Sequence, residues 1–169
     1  MGELKVKVQE LADLALALKY DATPPAPPDE KGAIQFLPLW EMLKTVWPDG
    51  AAQNRLYVSD NTFEICTIAD LRRFVEWDKT DLLNYVGEVL DCDDFAQALA
   101  GDFARYKEWS GFPVGIIWGA LFGGHAFTIA VAWPSLEDRT PRLYYIEPQG
   151  DWELAPEMVE AMVLWLVEI

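Results

Sequence analysis

The apolar period of this chain changes from helical to strand-like near residue 112, and that change limits the folds open to it. Before it, Phe95, Leu99, Phe103 and Tyr106 recur at helical spacing, with Ala96, Ala98, Ala100 and Ala104 keeping the flanks narrow. After it, Val114–Trp118, Ala126–Trp133 and Leu143–Ile146 are β-rich runs bounded by Gly, Pro or Asp. Helices first and strands second predict an α+β architecture, with helices packed on an antiparallel sheet. Smaller signals fill in the rest. Leu37 to Val46 reads as a short helix stopped by Trp47-Pro48-Asp49-Gly50, and Tyr57-Val58 and Phe63–Cys66 as short strands. Thr67-Ile68-Ala69-Asp70 has capping-box form, which predicts a helix to about Trp77. Pro156 suits a first helical turn, and the apolar run Met158 to Val167 predicts a C-terminal helix.

At the other end, Leu4, Val8, Leu11, Leu14 and Leu18 make a helical stripe within residues 1–22. The prolines of Thr23-Pro24-Pro25-Ala26-Pro27-Pro28 forbid helix, so residues 23–31 read as a stiff linker and 32–169 as one catalytic domain. A helix tethered in this way packs back on the domain or joins two copies into a homo-oligomer; both remain open. With 169 residues, half of them apolar, one core is expected. The net charge of −15 repels phosphates and anionic lipid, which argues against nucleic-acid or membrane partners. No apolar run reaches membrane-spanning length and no secretory h-region follows Met1, so a soluble, cytoplasmic protein is expected, with a virion or host-delivered setting left open.

Three short segments carry chemistry. Cys92 lies where the long helix should begin, behind Asp91 as a plausible cap, and unpaired N–H groups there favour a thiolate. His125, the only histidine, follows Gly123-Gly124 and opens a strand. Glu147 ends the next strand before Pro148 and Gly150. Together these residues predict a thiol nucleophile, its base and the base's orienter, with Gln149 the rival for the last role. Cys66, between Ile65 and Thr67, reads as core. Asp91, Asp93 and Asp94 would raise the Cys92 pKa unless a hard cation reversed the local field. Asp93, Asp94 and Gln149 supply the oxygen ligands calcium prefers, provided the helix start meets the 147–151 turn.

These motifs, Asp91-Cys92-Asp93-Asp94-Phe95-Ala96, Gly124-His125-Ala126 and Glu147-Pro148-Gln149, resemble the papain-like protease domain at the C-terminus of chimeric fungal agglutinins of the Marasmius type. Similar signatures occur in short phage and bacterial proteins and, more distantly, in transglutaminase-like cysteine proteinases. The resemblance covers about residues 55–151. It implies a papain-like/transglutaminase-like fold and a calcium- or manganese-dependent cysteine peptidase or amidase acting on a peptide or protein. Cys92 would be nucleophile, His125 base, Glu147 orienter, and Asp93, Asp94 and Gln149 metal ligands. No lectin β-trefoil precedes the domain, so sugar binding does not carry over. Three rival readings use the same residues: a transglutaminase-type acyl transferase, a non-catalytic structural or interaction protein, and a host-directed toxin or defence factor.

Overall fold

The computed structural model describes residues 23–87 and 89–169. The helix expected over 1–22 lies outside the described residues. Among the described residues a hairpin-like pair, β1 (Gly32–Gln35) with β3 (Thr62–Ile65), stands beside a six-stranded sheet. The sheet runs β2 (Leu56–Tyr57), β8 (Leu164–Glu168), β4 (Val114–Gly119), β5 (His125–Ala132), β6 (Arg142–Glu147) and β7 (Trp152–Glu153). Among the described residues five helices pack around it: α1 (Phe36–Val46), α2 (Pro48–Ala52), α3 (Ile68–Trp77), α4 (Cys92–Arg105) and α5 (Pro156–Glu160), with a 3-10 turn at Thr80–Leu82.

Two expectations are corrected here. The sheet is mixed, since β2 pairs parallel with β8 while the other neighbours are antiparallel. The predicted helix over 158–167 is instead the short α5 followed by β8. A continuous apolar run fits a buried strand as well as a helix. In this run Leu164-Trp165-Leu166-Val167 lies between two strand partners, β2 and β4, whose unpaired backbone groups need it. The papain-like, all-antiparallel arrangement expected from the sequence therefore gives way to a mixed, strand-rich α/β domain.

Alternation along β5 divides the interior in two. Phe127, Ile129 and Val131 face one cluster, with Leu39, Leu43, Trp47 and Tyr145. Ala130 and Ala132 face the other, with Leu99 and Phe103 of α4 and Leu71 and Phe74 of α3. Small residues on that side of β5 let α4 lie close to the sheet. The proline run is extended and strapped to the body: the buried indole of Trp109 donates to the Pro25 carbonyl at 3.0 Å, and Arg139 pairs with Glu30 at 3.3 Å.

Candidate functional site

The site is built at one end of the central strands. His125 pairs in register with Gly119, the last residue of β4, across the tight loop 120–124. Its Nε2 meets Glu147 Oε2 at 2.5 Å. Glu147 is only 5% exposed, and its other oxygen, Oε1, accepts the Gln149 backbone N–H at 3.2 Å. Both carboxylate oxygens are thus held, which fixes the imidazole and leaves Nδ1 as the ring nitrogen for a further partner. The rings of His125 and Phe127 are 5.8 Å apart, on the face shared with Tyr145.

Cys92 is the first residue of α4, free and half-buried. The helix starts where it does because Asp91 and Asp94 form a capping box, with Asp94 Oδ2 accepting the Asp91 N–H at 3.1 Å. Asp94 is therefore engaged in holding the helix end. Ligating atoms of Asp91, Cys92 and Asp93 lie within 4.8 Å of one another. The Asp93 carboxyl is pushed above the usual range, first by its hydrogen bond with the Asp91 carboxyl, then by burial and the nearby acidic charge. Adjacent carboxylate oxygens of this kind are the ligand type a hard cation takes.

The structure thus joins His125 to Glu147 and groups Cys92 with Asp91 and Asp93. α4 packs on the side of the sheet away from Phe127, and among the described residues the bond to His125 comes from Glu147 and not from the thiol. Gln149 touches the dyad through its backbone N–H. Cys66 is buried, and burial pushes its thiol far up, as expected of a core cysteine. The sequence reading missed Phe122, beside the His125 ring, and Trp165, against Gly124 of the same loop; they are 73% and 49% exposed. The glycine pair at 123–124 was the available signal that something approaches closely there.

No family model matches the chain, and no curated protein matches it. Solved structures do. One, described as "PSL1a-E64 complex", aligns with a TM-score of 0.62 at 17% identity, over 81% of this chain and 51% of that one. Another, Polyporus squamosus lectin bound to the human-type influenza-binding epitope Neu5Aca2-6Galb1-4GlcNAc, aligns with a TM-score of 0.53 at 18% identity, over 68% of this chain and 42% of that one. The chain therefore spans about half the length of the chains it matches. The fold is shared with part of the Polyporus squamosus lectin chain.

That likeness corrects the papain-like and transglutaminase-like assignment, and with it the calcium-dependent cysteine peptidase or amidase activity, the hydrolase vocabulary and the peptide substrate. One of the matching chains carries a lectin's name. No helix among the described residues is long and apolar enough to cross a membrane.

Proposed function

We propose that this chain is a ligand-binding module whose site is the His125–Glu147 end of the sheet, and that its ligand is a hydroxyl-rich glycan. The observation that carries the reading is the buried dyad. A carboxylate held on both oxygens beside an imidazole is a costly feature to keep at the edge of an apolar interior. Placed beside exposed aromatic rings, it is the mixture of a few fixed polar groups and apolar surface that small-molecule sites use. The trisaccharide described with Polyporus squamosus lectin supports the ligand class, against the expectation from sequence that sugar binding does not carry over.

A second reading has its own support. E64 is named with the other solved neighbour, and Cys92 offers a free, half-buried thiol at the start of a fourteen-residue helix. In that reading Cys92 is a reactive thiol that takes up a small electrophile covalently, with no peptidase chemistry attached.

One experiment separates them. The protein is titrated with Neu5Aca2-6Galb1-4GlcNAc while the His125 ring resonances are followed, and a second sample is incubated with E64 and weighed by mass spectrometry. The glycan reading expects saturable shifts at His125 and an unchanged mass. An added mass mapping to Cys92, without glycan shifts, replaces it with the thiol reading. Silence in both ends the proposal.

The acidic helix start is proposed to hold calcium through Asp93 and Asp94, with Gln149 completing the set and manganese as a substitute. Support comes from the geometry of the helix start, where ligating atoms of Asp91, Cys92 and Asp93 lie within 4.8 Å of one another. Millimolar calcium should then raise Tm by several degrees relative to EGTA, and Asp93→Asn should remove the rise. Equal melting in both buffers would dispose of the cation.

A further inference from the structure

Three backbone irregularities meet at the corner beside His125, and each aims an aromatic ring or admits one. Phe122 adopts φ 52°, a left-handed conformation that a bulky side chain rarely takes, and still leaves its ring 73% exposed. That ring lies 6.2 Å from the His125 imidazole. Gly124 has φ 129°, and a Cβ added there would come within 2.8 Å of the Trp165 ring, so the indole rests against the loop backbone. Trp165 itself sits in a β-bulge: Trp118 pairs with Leu166 and Gly119 with Leu164, which leaves residue 165 without a partner across the ladder. Bulges re-aim side chains and recur beside functional sites.

None of these features serves the interior. An exposed ring contributes little to folding, and the left-handed backbone of Phe122 is unfavourable for a non-glycine residue. Their common effect is to bring two rings to the loop that presents His125, Phe122 beside the imidazole and Trp165 against Gly124, next to the His125–Glu147 pair.

We infer that Phe122 and Trp165 are the apolar half of the ligand site and select a ligand with an apolar ring face, the C–H face of a pyranose being the form a glycan offers. The inference rests on the glycan-binding reading above and names how that ligand is oriented. Aromatic faces carry partial negative charge and attract polarised C–H edges, while the imidazole and carboxylate take the hydroxyls. The ligand lies with its ring against the two aromatics and its polar edge toward His125 Nδ1.

The test uses the whole chain and the trisaccharide Neu5Aca2-6Galb1-4GlcNAc. Wild type, Phe122→Gly and Trp165→Leu are titrated by calorimetry, while NMR follows the His125 ring and the Trp165 indole N–H. The expected result is joint movement of both resonances and about tenfold weaker binding for each variant. Phe122→Gly should melt no lower than wild type, because glycine relieves the strain, so its binding defect would not be one of folding. If His125 moves while both variants bind as wild type does, the aromatic role falls and the glycan reading stands. If the His125 ring does not respond to the trisaccharide, both fall.

Discussion

The Asp151 carboxyl is held well above the usual carboxylate range for reasons that belong to single side chains. Burial pushes its carboxyl up to about 7, and the charges of Asp81, Asp78 and Glu76 add to this while Lys79 opposes it. In the unfolded chain the same group ionises near pH 4. Between those values the unfolded state binds fewer protons than the folded one, so this group's effect on stability becomes less favourable as pH rises from about 4 to about 7 and is constant above. Asp151→Asn should flatten that slope. It should raise Tm at pH 8 by roughly 3 °C, about 1 kcal/mol once solvent screening of a half-exposed group is allowed for, and leave Tm at pH 4 unchanged. Asparagine also tolerates the φ of 56° at this position. A parallel shift at both pH values would mean that lost contacts, and not titration, set the result. At this scale much of the candidate site was legible. The lone histidine after two glycines and the glutamate before Pro148 stand within hydrogen-bond distance of each other, because strand ends are where polar side chains leave an apolar layer.

Helix α3 illustrates how far local sequence carries an element. Thr67 Oγ1 accepts the Asp70 N–H at 3.2 Å, and the helix runs from Ile68 to Trp77, as the hydroxyl and carboxylate three residues apart predicted. α4 obeys the same rule through Asp91 and Asp94. Asp94→Ala, measured in EGTA, should therefore cost about 1 kcal/mol in urea unfolding, from the lost cap alone. A loss smaller than about 0.3 kcal/mol would indicate that Asp94 is not needed to hold the helix start. β8 was hidden for the opposite reason. Val163-Leu164-Trp165-Leu166-Val167 has no period that separates strand from helix, and its state is fixed by β2 and β4, more than forty residues away in sequence. The bulge at Trp165 is likewise a product of pairing with β4, so neither its existence nor the ring it directs was readable in advance.

For the molecule as a whole, the order of elements came from the chain's own patterning, and the arrangement came from contacts between them. Apolar spacing determined that helices would precede three strands at 114–118, 126–133 and 143–146, because a side chain's position relative to solvent follows directly from local backbone geometry. Capping residues determined where α3 and α4 begin, because a free N–H is satisfied by the nearest oxygen. Three things were decided only in three dimensions: the parallel seat of β2 against β8, the side of the sheet on which α4 lies, and the meeting of Phe122, Trp165 and His125 at one corner. Each of these depends on which distant strand or loop offers an unpaired backbone edge or an open face, and a linear pattern records that a surface is apolar without recording what will cover it.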